Sequence, residues 1–407
     1  MTAPLRISDA RIHALAIPMR FRFEHAAATR EVADPIIVEL NGHAPYAHLP
    51  GIGETLARPY VTGETSESVL TDLQKIFLPR LAGFSAGSFP EALEFIESLP
   101  FEDEGRIIHA ARCAVELALI DLAGRAFRRR AADVAGWMGL AGFGAPGSRN
   151  TARYSGIAIG STRAKLHRWL RIQRCYGLRD FKLKVAVPEW QERLAWTYEF
   201  LATDLKKERV TLRVDANSGW TASEAAASLH LLERFGVCAI EQPLKDRDDA
   251  QLSALAAQTA CDLIVDESLL GIGDARRLLR AGGVQVFNIR LAKVGGLMPA
   301  LAMAAEVLQA NREVQLGCLV GQTSILTAAE QAFLEACPKV RFVEGAFGRI
   351  LLKADPVRPS MRFGYGGRLP TVGGFGLGVT PDSAILQRYA VSPPQRLRMM
   401  GIEGSVA

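Results

Sequence analysis

Short apolar runs alternate with longer amphipathic stretches from about residue 150 onward. The runs are short and rich in β-branched residues, as buried strands are, and the stretches between them have helical spacing of apolar positions. Successive runs begin roughly 23 to 30 residues apart. The eight runs are Tyr154–Ile157, Phe181–Val185, Thr211–Asp215, Cys238–Glu241, Leu263–Asp266, Val286–Leu291, Val314–Cys318 and Phe342–Glu344.

Eight strand–helix units at a regular interval predict an α/β fold with a closed (β/α)₈ barrel, also called a TIM barrel. The alternative is an open doubly wound sheet. We favour closure because the units are regular and no G-x-G-x-x-G motif follows the first strand.

The chain before the barrel has a different pattern. Arg11–Pro18 alternates and Pro35–Leu40 is rich in β-formers, which predicts strand, turn, strand, and helices dominate from Glu67 to about Arg130. The tail from about Pro356 is glycine-rich and predicts loops and short strands that pack back on the N-terminal segment. We therefore expect an N-terminal α+β domain at 1–130, the barrel at 131–355 and a C-terminal segment at 356–407.

Composition and charge narrow the class of protein. The chain has 407 residues with 49% apolar and 22% charged residues, which is typical of a globular protein. Its formal net charge of +5 is small, and the one basic run, Arg128–Arg130, falls at a predicted helix end. We expect no nucleic-acid partner.

Targeting signals are not evident either. No apolar stretch of about 18 residues predicts a membrane span, and the N-terminus lacks the basic and apolar regions of a signal peptide. The six cysteines form no C-x-x-C pair, so we expect free thiols in a reducing compartment. Together these features predict a cytoplasmic protein without a membrane partner.

Charged residues lie at the carboxyl ends of the predicted strands, and the active site of such a barrel lies at these strand ends. Because side chains alternate along a strand, Lys182 and Lys184 share a face and can both point inward. The ends of runs two to six carry, in order, Lys182 and Lys184, Asp215, Glu241, Asp266, and Arg290, with Lys293 just beyond.

Three carboxylates on adjacent strand ends would repel one another unless a cation lies between them. An oxygen-only ligand set without nearby His or Cys suits Mg²⁺, with Mn²⁺ as the alternative. Each residue alone has an ordinary interpretation, a solvated lysine or a helix-capping carboxylate. Their order on consecutive strand ends favours a metal site formed by Asp215, Glu241 and Asp266.

This arrangement suits removal of a proton next to a substrate carboxylate. The reaction puts a second negative charge on the carboxylate oxygens, which a metal and a lysine ammonium can stabilise. Lys184 would act as the base, and Lys182 and the cation would lower its pKa toward neutrality.

The motifs FKLKV, RVDANSGW, IEQPL, IVDES and NIRLAKVGGL, in this order, resemble the enolase superfamily. The similarity is to its branch of muconate lactonizing enzymes, dipeptide epimerases and o-succinylbenzoate synthases. GIGETLARPYVTGET and FGLGV also look like capping-domain elements of that family. The resemblance implies a barrel with an N-terminal capping domain, Mg²⁺, a small-molecule carboxylate substrate and a homo-oligomer.

The resemblance also assigns residues. It makes Asp215, Glu241 and Asp266 the metal ligands, Lys184 the acid/base and Lys182 its partner near the carboxylate.

Further contacts follow from the same resemblance. Asn217 would support the metal site. Cap loops around Phe21–Ala28 and Glu54–Tyr60 would set specificity. Candidate substrate contacts there are His25, Arg58 and Tyr60, and for each the alternative is an ordinary loop residue.

Two departures narrow the reaction. No histidine follows His230, so the strand-seven histidine of the mandelate racemase branch cannot exist. Arg290 stands where related racemases and epimerases carry a second lysine. Arginine is a poor base but a good clamp for a carboxylate. Lys293 could serve as a second base or a substrate contact, although that family position is often lysine without being catalytic.

The last two strands are less typical of the family. Gln322 is the nearest large polar side chain after strand seven. Glu344 at the end of strand eight would either bind a cationic substrate group or form a structural salt bridge.

We therefore expect a one-base cycloisomerase or syn-eliminating lyase. The alternatives are an amino-acid or dipeptide racemase or epimerase and, in another class, a non-catalytic ligand-binding barrel.

Overall fold

The structure is a computed structural model that describes residues 3–25, 28–144, 152–245, 248–370 and 372–398. For residues 22–25, 28, 29 and 249 it describes the backbone alone.

Eight parallel strands form one curled sheet in chain order, each paired with its sequence neighbour. A parallel bridge between Tyr154 and Val343, with the Ser155 amide donating to the Val343 carbonyl at 2.8 Å, joins the last strand to the first. The barrel is therefore closed, and the prediction is confirmed. Its strands are Gly156–Ala158, Asp180–Lys184, Thr211–Asp215, Ala239–Glu241, Asp262–Val265, Val286–Ile289, Glu313–Leu316 and Phe342–Val343.

A helix follows each of the first seven strands. Local capping fixes where several of them begin: Thr221 accepts from the Glu224 amide and Glu224 accepts from the Thr221 amide, a reciprocal capping box. A single turn, Leu291–Val294, precedes the sixth. The barrel helices are Arg163–Cys175, Trp190–Lys206, Ala222–Arg234, Asp249–Ala256, Ile272–Ala281, Leu297–Gln309 and Ser324–Ala336.

An antiparallel sheet and a group of helices form the N-terminal part. Helix His109–Ala126 packs so closely on strand Pro50–Thr55 that a Cβ at Gly53 would overlap the Ala114 carbonyl oxygen. The remaining strands there are Leu5–Ala14, Ile17–His25, Ala28–Ala33, Ile36–Gly42, Ser85–Ala86, Glu102–Asp103 and Arg106–Ile107. The helices are Pro59–Thr62, Ser66–Asp72, Leu78–Leu81, Phe89–Glu97 and Val134–Trp137, with a π turn at Leu73–Phe77 and a 3-10 turn at Ala131–Asp133.

The C-terminal segment returns to this sheet. Strand Gln395–Arg398 pairs antiparallel with Leu5–Ala14, and Val357–Arg358 pairs with Thr380–Pro381. Short 3-10 turns lie at Gly348–Ile350 and Tyr365–Gly367. These pairings support a cap completed by the tail, while the domain boundaries stay a prediction.

Two local predictions differ from the structure. The segment predicted as a loop around Phe21–Ala28 belongs to a hairpin of Ile17–His25 and Ala28–Ala33. The tail, predicted to contain loops and short strands alone, also contains the helix Ser383–Arg388, which Asp382 caps by accepting from the Ile385 amide. Among the described helices none is long and apolar enough to cross a membrane.

Candidate active site

A cavity of about 310 Å³ opens at the carboxyl ends of the barrel strands, beneath residues of the N-terminal cap. The second strand contributes both Lys182 and Lys184 to its lining, as the alternation of side chains along Asp180–Lys184 predicts. The other polar or charged lining residues are Tyr60, Ser155, Arg213, Asn217, Glu267, Arg290, Cys318, Gln322 and Glu344.

Lys184 lies between two oxygens at the end of the third strand. Its Nζ donates to Asp215 Oδ2 and to Asn217 Oδ1, each at 2.6 Å. Asn217 is held in turn because its amide donates to Asp215 Oδ1 at 2.9 Å. Lys184 is therefore oriented by two fixed acceptors while its side chain still faces the cavity.

Lys182 is buried at the centre of three carboxylates. Its Nζ lies 2.6 Å from Glu344, 3.1 Å from Asp215 and 3.3 Å from Glu241. Burial alone would lower the pKa of Lys182, but the surrounding carboxylates outweigh it and raise this pKa. Lys182 is thus a fixed cation rather than a base.

Glu241 is completely buried and held at both oxygens. Asn288 Nδ2 donates to Oε1 and Gln315 Nε2 donates to Oε2, each at 2.9 Å. Burial, followed by the charge of Asp215, raises the pKa of Glu241 to about 8. Sequence reasoning missed Asn288 and Gln315; their positions on the inward face of strands six and seven were the available signal.

Asp266 is held by two cationic side chains. Arg290 Nη2 contacts Oδ2, and Lys293 Nζ donates to Oδ1 at 2.7 Å. Lys293 also donates to the main-chain carbonyls of Asp266 and Asn288, at 2.6 and 2.9 Å. The Asp266 amide donates to Gln242 Oε1 at 2.9 Å, which fixes the backbone after strand five.

No group of three or more His, Cys, Asp or Glu side chains within the described ranges is already gathered as a metal-binding set. Basic side chains contact these carboxylate oxygens instead: Lys184 contacts Asp215, and Arg290 contacts Asp266. The donor chemistry nevertheless fits a hard divalent ion, since three fully buried carboxylates end adjacent strands. Burial, followed by the charge of Asp215, raises the pKa of Glu241, and a bound cation would counteract both effects.

Glu344 is tied down by two cations. Lys182 Nζ and Arg213 Nη2 contact its Oε1 at 2.6 and 2.7 Å. Burial would raise the pKa of Glu344, but these charges overcome it and lower the pKa to about 2. Of the two roles predicted for Glu344, this geometry favours the structural salt bridge.

Two predicted substrate contacts point elsewhere. Arg58 is 1% exposed and does not line the cavity; it contacts Asp34 at 3.1 Å and donates to the Val320 carbonyl at 2.7 Å. Lys293 is also buried and does not line the cavity. Its ammonium donates to Asp266 Oδ1 and to two main-chain carbonyls, which uses all three of its N–H groups. Substrate contact by either residue stays a prediction, and this placement favours a positioning role for both.

The remaining predicted contacts have mixed outcomes. Tyr60 and Asn217 line the cavity. The His25 side chain lies outside the described residues. Glu267, which follows Asp266 directly, was missed; it lines the cavity and accepts from Asn217 Nδ2 at 3.1 Å.

Comparison with known proteins places the chain in a family. The family model described as "Enolase C-terminal domain-like" matches residues 165–385. The L-Ala-D/L-Glu epimerase of Escherichia coli is 30% identical over 86% of this chain and 96% of its own length. Chloromuconate cycloisomerase of Pseudomonas putida is 26% identical, over 82% of this chain and 87% of its own.

A solved structure agrees at the level of the fold. The N-succinyl Arg/Lys racemase of Bacillus cereus superposes with a TM-score of 0.81 at 22% identity, over 97% of this chain and 100% of that one. The family match, the similar enzymes and the shared architecture together show that this chain is an enzyme of isomerase type that belongs to the enolase superfamily.

Proposed function

We propose that this protein abstracts the proton α to the carboxylate of a small substrate, with Lys184 as the single base. The observation that carries the proposal is the position of Lys184, oriented at 2.6 Å by Asp215 and Asn217 while it faces the cavity. A base held in this way needs little reorganisation to meet a proton above it.

Lys182 supports the same reaction as a permanent charge. Three carboxylates keep it protonated and fixed, so it can stabilise negative charge that develops on the substrate carboxylate. Asp215, Glu241 and Asp266 would hold the divalent metal, which we propose to be Mg²⁺, with Mn²⁺ as the alternative. When bound, that ion would polarise the substrate carboxylate.

The opposite side of the site carries Arg290 in place of a second base. Asp266, followed by neighbouring acids, raises the pKa of Arg290 against the effect of burial, so the side chain keeps its proton. Lys293 is committed to Asp266 and two carbonyls. A reaction on one substrate face, cycloisomerisation or syn-elimination with Lys184 as base and then acid, fits this arrangement best.

A racemase or epimerase is the second candidate. The epimerase of Escherichia coli, at 30% identity, favours it. Such an enzyme must return a proton to the face opposite Lys184, where Arg290 would have to give one up.

Two further features stay proposals. The family resemblance supports a homo-oligomer, and the cytoplasmic location stays a prediction from the sequence. The substrate itself we infer to be a small carboxylate, in keeping with the similar isomerases.

Deuterium exchange separates the two reactions. The purified protein would be incubated with Mg²⁺ in D₂O with muconolactones, N-acylamino acids, dipeptides and hydroxy acids, and uptake would be read by mass spectrometry. Exchange with retained configuration supports the one-base reaction, and exchange with inversion supports the epimerase. Absence of exchange across the library, with metal bound, would favour a non-catalytic barrel.

A further inference from the structure

The cavity has two chemically different sides. All the charged lining residues except Glu344 come from barrel strands two, three, five and six: Lys182, Lys184, Arg213, Glu267 and Arg290. The loops after strands seven, eight and one form the other side, and these strands are neighbours in the closed barrel. The cap completes that second side with Phe21 and Tyr60.

Large apolar side chains dominate the second side. Ile159 and Trp169 follow strand one, Phe347 and Ile350 follow strand eight, and Phe21 belongs to the cap hairpin. The rings of Phe21 and Trp169 lie 6.3 Å apart and tilted, one from the cap and one from the barrel. Phe21 is 54% exposed and Ile159 39% exposed. Contact with an apolar ligand would remove this apolar surface from water and so stabilise the complex.

Polar groups on the same side are uncharged or already occupied. Gln322 donates to Glu330 Oε1 at 2.8 Å and accepts from the Leu319 amide at 3.0 Å. Glu344 belongs to this side by sequence, but Lys182 and Arg213 neutralise it. In the described part of the chain, no other side chain lining the second side carries a charge.

We propose that the substrate is a carboxylate whose distal group is bulky, apolar and uncharged, seated against Phe21, Ile159, Trp169, Phe347 and Ile350. The inference rests on the proposed function, which places the carboxylate at Lys182 and Lys184. A charged distal group would lose its hydration against this wall and find no counter-ion there. An apolar distal group would bind more tightly, because burying it against the same wall is favourable.

Three carboxylates that share a chain of five methylene groups and differ in the distal group test the inference by binding alone. The Mg²⁺-loaded protein would be titrated with 6-phenylhexanoate, heptanedioate and 6-aminohexanoate, and tryptophan fluorescence would report on Trp169. We expect 6-phenylhexanoate to bind at least about tenfold more tightly than the other two. The Trp169→Phe protein should lose most of the fluorescence change, which would assign that signal to Trp169.

Ile159→Lys adds a charge to the wall and should strengthen binding of heptanedioate while weakening that of 6-phenylhexanoate. The matched control is Ile172→Lys, which adds the same charge at a 49% exposed position outside the cavity and should change neither affinity. Equal affinities for the three ligands, tighter binding of a charged-ended ligand, or no binding at all overturns the inference. The proposed reaction fails separately, by lack of Lys184-dependent α-proton exchange.

Discussion

At the scale of single residues, Arg290 decides whether the enzyme can transfer a proton on one face of the substrate or on both. It occupies the side of the site opposite Lys184 and contacts Asp266. Because a guanidinium keeps its proton, the site has one base where a racemase needs two.

Replacing Arg290 by lysine should supply the second base. We expect the Arg290→Lys enzyme to exchange the α-proton with loss of configuration, whereas the wild type retains it. Chiral chromatography of the substrate recovered from D₂O measures this. The Arg290→Gln enzyme, which has no base there, is the control and should not invert. Inversion by the wild-type enzyme would show that the one-base interpretation is wrong.

Glu344 is the second residue whose charge matters, here for stability. Its folded-state pKa of about 2 lies below the ordinary value of 4.5, so the folded protein favours the carboxylate. The stabilisation is present above about pH 4.5 and is lost as pH falls toward 2, and it amounts to about 3 kcal/mol.

Glu344→Gln should therefore lower the free energy of unfolding at pH 7 by about 3 kcal/mol, because Arg213 and Lys182 lose a buried counter-ion. Urea unfolding at pH 7 measures the change. Glu306→Gln, which breaks the exposed pair with Arg276, should cost no more than about 1 kcal/mol. Equal costs for the two variants would argue against a buried ion pair.

At the scale of elements, Glu54 joins the cap to the barrel. It is the penultimate residue of strand Pro50–Thr55. Its carboxylate accepts from the Thr323 amide and hydroxyl at 2.7 Å and from the Leu326 amide at 3.0 Å. These donors lie at the N-terminus of helix Ser324–Ala336, so the Glu54 carboxylate satisfies hydrogen-bond donors of that helix end. Burial is the main cause that raises the pKa of Glu54 to about 7.

The raised pKa gives a pH dependence with a definite sign. The folded protein binds a proton at Glu54 that the unfolded chain releases above about pH 4.5, so stability falls as pH rises from about 4.5 to 7, by up to about 3 kcal/mol. Urea unfolding across this pH range should show that the free energy of unfolding falls less steeply with pH in Glu54→Gln than in the wild type. Glu94→Gln, at an exposed position of helix Phe89–Glu97, should leave the slope unchanged. An unchanged slope in Glu54→Gln would contradict the assignment.

The elements also show what sequence can predict. All eight barrel strands were predicted within a few residues, because parallel strands buried on both faces are short apolar runs. The hairpin around Phe21 was missed because no Gly, Pro, Asn or Asp occurs between Met19 and Ala33 to signal a turn. The roles of Arg58 and Lys293 depend on partners far away in sequence, such as Val320 and Asp266, which no local pattern reveals.

At the scale of the whole molecule, one metal site would connect three strands of the barrel. Asp215, Glu241 and Asp266 end strands that pair with one another in register, so a cation held by all three favours the closed barrel over the unfolded chain. We expect Mg²⁺ to raise the unfolding midpoint saturably, by calorimetry.

The Glu241→Gln protein tests that expectation without an activity assay. It loses one predicted ligand, and its unfolding midpoint should respond much less to Mg²⁺. High Na⁺ at matched ionic strength controls for screening. A midpoint in the wild type that is indifferent to Mg²⁺ would contradict the metal site.

The central claim is that Lys184 removes the α-proton, and the most direct test is exchange by a variant that lacks only this amine. With Mg²⁺ in D₂O and a substrate that the wild type exchanges, Lys184→Ala should slow deuterium uptake by about 10² to 10⁴-fold. Lys339→Ala, at an exposed lysine, should leave the rate unchanged. Uptake by Lys184→Ala at the wild-type rate would contradict the assignment of the base.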